Sequence, residues 1–328
     1  MAKVLVIGAG AWGTALAVVA QKAGSDVTIW GRPLDDVDKI NTSHQVKNLP
    51  GITLNSSIKA TSNTAIAKTA DIIILAVPSQ ALRSVLEVFK IHIDPKQSKL
   101  VIACKGIEKK TCKLMSEVID DVIPGATIAA ISGPNFASEV AKTLPAAATL
   151  ACPDKKAREQ ILDAIGYVNF RLYLSTDIMG VQVGGALKNV IAIATGVAAG
   201  RGLGDNTIAL IITRGLAEIA RLGVKKKAKP ETFQGLSGIG DLMLTCMSSQ
   251  SRNYKLGRSI GRGAEISDIL DSTKMTVEGF HTAASIIDLA KKLKVDMPIC
   301  QMVYSILYEG KTVNEAINTL LTRPIREE

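Results

Sequence analysis

The sequence predicts an α/β protein in which an N-terminal doubly wound parallel sheet is followed by an all-helical C-terminal domain. In the first half of the chain, short apolar runs alternate with helical segments, as they do in successive βαβ units. A glycine-rich loop joins the first apolar run to the first helical segment. After Ser175 helical periodicity replaces the strand-like runs, so we place the domain boundary between residues 1–175 and 176–328.

The predicted strands are uniformly apolar rather than alternating, which is typical of parallel strands that are buried on both faces. They cover residues 4–8, 26–30, 71–77, 99–103 and 127–131, and residues 169–174 are a further candidate. The segments between them, such as 14–23 and 79–89, are long enough to form crossover helices. This order predicts a sheet with helices on both faces.

The second half of the chain carries helix signals. A long amphipathic stretch begins where Asp205 or Asn206 is placed to cap it, and Gly223 is placed to end it. Residues 178–199 are long and apolar enough to cross a bilayer, with Lys188 as their only charge. Because that charge and two amides lie inside the run, we expect a buried helix of a soluble domain and no membrane insertion.

The composition is that of an ordinary globular chain, with 328 residues, 47% hydrophobic and 21% charged. The net charge of +9 raises the question of a nucleic-acid partner, but we expect none, because the one dense basic run, at 225–229, is typical of a solvated turn. Scattered cysteines and three distant histidines predict neither a disulfide framework nor a metal site. No leader pattern is seen, so we expect a cytoplasmic protein.

The loop Gly8-Ala9-Gly10-Ala11-Trp12-Gly13 has the G-x-G-x-x-G spacing of a dinucleotide-binding Rossmann fold. The first glycine allows the tight turn, the second lets the backbone approach a pyrophosphate, and the third lets helix and strand pack closely. The pyrophosphate would bind the unpaired N–H groups at the helix N-terminus.

The end of the second predicted strand favours NADP(H) over NAD(H). An NAD site usually carries a carboxylate there for the ribose hydroxyls, whereas this chain has Arg32, which could pair with a 2′-phosphate. Asp35 and Asp36 follow closely, so NAD remains an alternative.

Ten ordered segments resemble the bacterial-type NAD(P)-dependent glycerol-3-phosphate dehydrogenases. They are Gly8-Ala9-Gly10-Ala11-Trp12-Gly13-Thr14-Ala15-Leu16-Ala17, Leu49-Pro50-Gly51, Ala76-Val77-Pro78-Ser79, Lys105-Gly106-Ile107-Glu108, Ser132-Gly133-Pro134, Ala137-Ser138-Glu139, Leu187-Lys188-Asn189, Gly238-Ile239-Gly240-Asp241-Leu242, Ser251-Arg252-Asn253 and Val277-Glu278-Gly279.

The resemblance implies hydride transfer that interconverts dihydroxyacetone phosphate and sn-glycerol 3-phosphate for phospholipid synthesis, carried out by a homodimer. The implied cofactor contacts are Gly8, Gly10, Ala11, Trp12, Gly13, Arg32, Lys105, Ala137, Arg252, Thr276 and Glu278. The implied substrate contacts are Lys105, Gly133, Asn135, Lys188, Asp241, Ser251, Arg252 and Asn253. Lys188 is implied as the general acid and base.

Three positions depart from the family pattern. Asn135 stands where Ser or Thr is typical, Asn48 replaces an aromatic residue that would stack on the cofactor, and Pro33 follows Arg32 where a second polar or basic residue is frequent. The hold on a 2′-phosphate would then depend on Arg32 alone.

The residues around Lys188 suit a proton donor. On a helix its same-face neighbours are Gly184, Gly185, Ile191 and Ala192, which provide no carboxylate partner and leave room for a ligand. Such a donor is needed where hydride addition builds negative charge on a carbonyl oxygen. Asp241 is the best candidate to orient the amine; Thr245, four residues on, could bond the substrate oxygen.

Ser251-Arg252-Asn253 offers a hydroxyl, a guanidinium and an amide for the substrate phosphate, although a capped surface helix start fits the same triplet. Two other functions stay open at this point. A β-hydroxyacid or 6-phosphogluconate-type dehydrogenase shares the domain arrangement and the Lys-Asn pair. The other alternative is a non-catalytic dinucleotide-binding sensor.

Overall fold

The fold class predicted from the sequence is confirmed by the computed structural model, which describes residues 1–35, 37–272 and 277–324. Within these residues, an eight-stranded sheet is followed by helices without further strands. By their contacts, the residues form two compact units: the first contains 1–105 and 113–182, and the second contains 106–112 and 183–328.

The sheet of the first unit has the order β3-β2-β1-β4-β5-β6-β7-β8, in which only β7 runs antiparallel to its neighbour β6. The strands are β1 (Lys3–Ile7), β2 (Asp26–Trp30), β3 (Lys59–Thr61), β4 (Ile72–Leu75), β5 (Lys99–Ile102), β6 (Thr127–Ser132), β7 (Ala146–Ala151) and β8 (Phe170–Ser175). All six predicted strands are confirmed. The short β3 and the alanine-rich β7 were not predicted, because neither has a β-branched apolar run.

Helices cover both faces of this sheet. They are α1 (Ala11–Lys22), α2 (Val37–Ser43), α3 (Leu82–Phe89), α4 (Met115–Val122), α5 (Ala137–Ala141) and α6 (Lys155–Ile165). Successive residues of β1 enter opposite cores: Val4 and Val6 belong to the cluster that includes α1, while Leu5 and Ile7 belong to the cluster that includes Phe89. Burial on both faces explains the unbroken apolar pattern of β1, β4 and β5.

The second unit is helical. Its helices are α7 (Ile178–Gly200), which starts in the first unit, α8 (Asp205–Lys225), α9 (Asp241–Met247), α10 (Arg252–Gly261), α11 (Ile266–Ser272), α12 (Glu278–Leu293), α13 (Pro298–Tyr308) and α14 (Val313–Leu321). In the described chain, α7 is the one helix long and apolar enough to span a membrane, yet 83% of its most apolar window is buried inside the protein. This burial fits the core helix of a soluble unit.

The residues predicted to cap and to end α8 were wrong. Gly204 is the N-cap, Asp205 is the first residue of the helix, and the helix continues past Gly223 to Lys225. A Cβ at Gly223 would lie 2.2 Å from the ring of Phe233, so this glycine makes room for an aromatic side chain instead of ending the helix.

A buried carboxylate joins α8 to α13. Glu218 is 1% exposed and accepts hydrogen bonds from the backbone N–H groups of Ile299 (2.7 Å) and Cys300 (3.1 Å) in the first turn of α13. Burial raises the pKa of Glu218 to about 7, although these N–H donors partly oppose the shift.

This raised pKa gives the fold a testable pH dependence. Because the pKa of Glu218 rises from 4.5 to about 7 on folding, its contribution to stability is complete below pH 4.5 and is lost as the pH rises through 7. The loss is up to about 3 kcal/mol. We expect the unfolding midpoint of Glu218→Gln to fall less steeply than that of wild type between pH 5 and 8, measured by circular dichroism.

Glu315→Gln is the matched control. Glu315 caps α14 at the surface, and hydrogen bonds from Thr312 lower its pKa, so it stays ionised throughout this pH range. Equal slopes for Glu218→Gln and wild type would contradict the role given to Glu218.

Candidate active site

The glycine loop of the first unit is shaped by close backbone contacts. Gly8 has φ +123°, and a Cβ there would lie 2.8 Å from the carbonyl oxygen of Ala76. A Cβ at Gly13 would lie 2.0 Å from the carbonyl oxygen of Gly8. Gly10 has open space beside it, with no atom within 4 Å of where its Cβ would be. The first and third glycines therefore allow the turn to close. The second leaves open space in which a ligand can approach the protein backbone.

The N-terminus of α1 fits a pyrophosphate. Gly10 caps the helix without a side-chain hydrogen bond, and no acidic residue stands in the first turn, so the first N–H groups are available to an anion. The loop follows β1, which pairs with β2 on one side and β4 on the other, and this is the point where the strand order reverses. The Trp12 indole nitrogen is buried and has no hydrogen-bond partner among the residues described.

Arg32 follows β2, as predicted, and contacts a carboxylate. Its guanidinium lies 2.9 Å from Oδ1 and 3.2 Å from Oδ2 of Asp35, which also accepts the Arg32 backbone N–H at 2.8 Å. Burial raises the pKa of the Asp35 carboxyl, but the bonds to Arg32 outweigh burial and hold the pKa below its usual value. The Arg32 side chain is 68% exposed, so it can reach a ligand phosphate.

The loop after β6 holds two of the predicted substrate contacts. A Cβ at Gly133 would lie 2.9 Å from the carbonyl oxygen of Ala147, so this loop packs closely against β7. Asn135 donates through Nδ2 to that same oxygen at 2.9 Å, and its Oδ1 is buried with no partner in the described parts of the chain. The amide at this unusual position thus binds the backbone of β7 and offers one acceptor. Lys105, beyond β5, and Ala137, which begins α5, are partly buried.

Three predicted catalytic side chains meet in the second unit. Lys188 lies on α7, and its Nζ donates to Oδ1 of Asp241 and, at 2.8 Å, to Oγ1 of Thr245. The side chains of Lys188 and Asp241 are only 9% and 1% exposed. Thr245 donates to the Asp241 carbonyl oxygen at 2.6 Å, one turn back on α9. The structure therefore gives the lysine a carboxylate from another helix.

A glycine contact brings α9 to this lysine. A Cβ at Gly184, one turn before Lys188, would lie 2.3 Å from the carbonyl oxygen of Ser237, which belongs to the turn leading into Asp241. The sequence interpretation that Gly184 leaves room for a ligand was wrong. Its missing side chain is filled by protein backbone, and this approach places Asp241 within reach of Lys188.

Reciprocal glycines pack α7 against α10. Cβ atoms at Gly196 and Gly200 of α7 would lie 2.2 and 2.4 Å from carbonyl oxygens of α10, and Cβ atoms at Gly257 and Gly261 of α10 would lie 2.0 and 2.3 Å from carbonyl oxygens of α7. Small residues four apart on both helices thus allow the two backbones to touch. This packing places the start of α10 beside the middle of α7.

At that start, Ser251 and Asn253 have structural partners. Ser251 caps α10 by accepting the N–H of Tyr254 at 3.2 Å. Asn253 donates to Oδ1 of Asn189 at 2.9 Å and accepts the N–H of Gly279 at 2.9 Å. Asn189 was not predicted as a site residue, although a buried amide next to Lys188 in an apolar helix was the available signal.

The remaining predicted residues lie at helix starts. Arg252 is exposed at the first position of α10, and Glu278 begins α12. Thr276 lies outside the described residues. In the described ranges, no group of three or more His, Cys, Asp or Glu residues could hold a metal ion.

Comparisons with known proteins identify the family of this chain. The family model described as the N-terminus of NAD-dependent glycerol-3-phosphate dehydrogenase matches residues 3–158, and that of its C-terminus matches 177–318. Proteins named glycerol-3-phosphate dehydrogenase (NAD(P)+) from Streptomyces griseus and Corynebacterium aurimucosum are 46% and 47% identical, covering 99% and 100% of this chain and 98% and 100% of their own. A crystal structure of glycerol-3-phosphate dehydrogenase from Coxiella burnetii is similar with a TM-score of 0.94 and 34% identity, covering 98% of this chain and 99% of that one.

The buried Lys188–Asp241 pair predicts non-additive effects on stability. Lys188→Met leaves the Asp241 carboxylate buried without the ammonium and should lower the free energy of unfolding by about 3 kcal/mol. The double variant Lys188→Met/Asp241→Asn should recover at least half of that loss. Lys155→Met, which removes an exposed pair with Glu159 on α6, should change stability by less than about 1 kcal/mol. Urea unfolding measures all three free energies, and a double variant no more stable than Lys188→Met would disprove the coupling.

Proposed function

The chain belongs to the NAD-dependent glycerol-3-phosphate dehydrogenase family, and from this premise we propose that it interconverts dihydroxyacetone phosphate and sn-glycerol 3-phosphate with NAD(P)H. The observation that carries the proposal is the buried cluster of Lys188, Asp241 and Thr245, which is a proton donor with its own orienting groups. The family matches support this reaction over a β-hydroxyacid or 6-phosphogluconate-type dehydrogenase and over a non-catalytic sensor.

The first unit would hold the dinucleotide. The N-terminus of α1, with Gly10, Ala11 and Trp12, would bind the pyrophosphate, and Arg32 would bind a 2′-phosphate. The indole N–H of Trp12, which has no partner in the described ranges, supports a ligand at this loop, because a buried donor without a bond is destabilising. The reduced nicotinamide supplies the hydride, and NADP is favoured over NAD.

Lys188 would give the carbonyl oxygen its proton in the reductive direction and take it back in the oxidative direction. The developing negative charge needs a donor that is already oriented, and the bonds to Asp241 and Thr245 fix the amine before substrate arrives. The carboxylate also favours the charged ammonium, which would stabilise the oxyanion. We therefore assign Asp241 and Thr245 to orientation of Lys188.

The substrate phosphate would bind at the start of α10. Arg252 supplies the guanidinium fork, and the first N–H groups of the helix add donors. Asn253 already uses its Oδ1 and one Nδ2 hydrogen within the fold, so it has one amide hydrogen left for a ligand. Ser251 caps the helix through its oxygen and keeps its hydroxyl hydrogen for the phosphate.

We also propose a cytoplasmic homodimer that supplies glycerol 3-phosphate for phospholipid synthesis, with residues 1–175 as the dinucleotide-binding domain and 176–328 as the substrate domain. Burial of α7 inside the protein supports a soluble enzyme. The dimer is inferred from the family resemblance.

The reaction and the role of Lys188 are tested together. Wild type should consume NADPH when dihydroxyacetone phosphate is added, followed by absorbance. Lys188→Met should lower kcat by at least about a hundredfold, because general acid catalysis contributes roughly 10²- to 10⁴-fold. Its affinity for NADPH, measured by fluorescence, should stay close to that of wild type, as should the kcat of Lys155→Met. A folded Lys188→Met enzyme within about threefold of wild-type kcat would exclude the general acid role.

The contact between Arg32 and Asp35 predicts opposite effects on cofactor choice. Arg32→Asp should lower the NADPH/NADH ratio of kcat/KM at least about tenfold, since a charge-assisted bond is worth about 1.5 to 3 kcal/mol. Asp35→Asn should raise the ratio, because it frees the guanidinium and removes a charge that repels phosphate. Identical ratios in both variants and wild type would show that this turn does not select the cofactor.

A further inference from the structure

A short segment of the second unit interrupts the part of the sequence that forms the first. Residues 106–112, here called the strap, group by their contacts with the second unit, although the chain before and after them belongs to the first. Two non-glycine residues of the strap, Lys110 (φ 67°) and Cys112 (φ 60°), adopt the left-handed backbone region that side chains disfavour. Such a conformation persists only where the surroundings fix it.

Within the strap, Glu108 closes a compact loop. Its Oε2 accepts the hydroxyl of Thr111 at 2.6 Å, and its carbonyl oxygen accepts the N–H of Cys112 at 3.1 Å. The strap directly follows Lys105, one of the predicted cofactor and substrate contacts. Its conformation therefore bears on how the chain leaves Lys105.

Two side-chain contacts hold the strap to α12. The Nζ of Lys109 lies 3.1 Å from Nδ1 of His281, and the Nζ of Lys292 lies 3.5 Å from the carbonyl oxygen of Thr111. His281 stands one helical turn after Glu278, the first residue of α12. The strap is thus bound to the turn of α12 that carries another predicted cofactor contact.

The Lys109–His281 contact requires a neutral imidazole. A lysine ammonium can only donate hydrogen bonds, so Nδ1 must be the unprotonated nitrogen and Nε2 must carry the hydrogen. Burial lowers the pKa of His281, and the Lys109 charge lowers it further. Protonation would remove the acceptor and place two positive charges side by side.

Besides Lys109, His281 has an aromatic neighbour and a carboxylate on its own helix. The Phe280 ring packs on the imidazole with centroids 5.5 Å apart. From α13, the Tyr308 hydroxyl donates to the Phe280 carbonyl oxygen, and burial raises the pKa of Tyr308 to about 12, so it stays neutral. On α12 itself the charged residue one turn away is Glu278.

We propose that His281 is a positioning residue for the reaction: neutral His281 holds Lys109, the strap and thereby the chain leaving Lys105, and protonation releases them. This role rests on the proposed function, whereas the contact itself does not. Because His281 touches no reacting atom, its loss should affect KM more than kcat.

The first experiment needs no turnover. The chain has three histidines, so their ring signals can be followed by NMR through a pH titration and the His281 signal identified by its absence in His281→Asn. In Lys109→Met the pKa of His281 should rise, because a neighbouring positive charge has been removed. An unchanged His281 pKa in Lys109→Met would overturn the contact in solution.

The second experiment measures kcat and KM for dihydroxyacetone phosphate from pH 5 to 8. At pH 8, His281→Leu and Lys109→Met should raise KM about threefold to fivefold with little change in kcat. His281→Asn, unlike His281→Leu, should keep the wild-type KM, because the Oδ1 of asparagine takes the place of Nδ1 as an acceptor. Wild type should lose affinity as His281 becomes protonated, and His281→Asn should not show this acid loss.

The control is His92→Asn, which changes a histidine outside the site and should behave as wild type. Two results would overturn the positioning role: a wild-type KM in His281→Leu at every pH, or a rise of KM at low pH in His281→Asn equal to that of wild type. A wild-type enzyme that fails to turn over dihydroxyacetone phosphate would count against the proposed function, and the NMR titration would still decide whether Lys109 binds His281.

Discussion

The second unit is organised around one buried ion pair, between Lys188 of α7 and Asp241 of α9. Both side chains are almost completely buried. The attraction between the two charges offsets their desolvation only when the geometry is good and the remaining hydrogen-bonding positions are filled. Thr245 fills one position on the amine. The ion pair therefore requires a fixed distance between α7 and α9, and backbone contacts near the pair set that distance.

Glycines provide the fixed distance. Gly184 lets the turn before α9 touch α7, and the reciprocal glycines of α7 and α10 let those helices meet backbone to backbone. Helices packed through glycine have little side-chain freedom between them, so their separation is set by van der Waals contact and not by adjustable rotamers. The same helix that positions the amine also positions Asn189, which binds Asn253 and through it the start of α12. The stability of the unit and the proposed catalytic role of Lys188 thus depend on the same position of α7.

The sequence was sufficient for elements whose pattern is local. Uniform apolar runs predicted five strands, and a sixth was a further candidate. Because the helical face around Lys188 has no carboxylate, Asp241 was predicted as the partner of this lysine from another part of the chain. Features that depend on packing at a distance could not be predicted in this way. The glycine Gly184 has the same local appearance whether its missing Cβ admits a ligand or the carbonyl oxygen of Ser237, and only the fold distinguishes the two. The alanine-rich β7 is a strand because β6 and β8 pair with it, against its own propensity.

The turn at Arg32 shows how one arrangement can accept two cofactors. In the structure Asp35 engages the guanidinium, and an exposed ion pair of this kind is worth about 1 kcal/mol or less. The proposed bond from Arg32 to a 2′-phosphate, at about 1.5 to 3 kcal/mol, would more than replace it. When the cofactor lacks that phosphate, Arg32 keeps its carboxylate, and its charge is not left without compensation. The difference between these two small energies favours NADP without making NAD costly, because nothing buried has to be broken to bind either one.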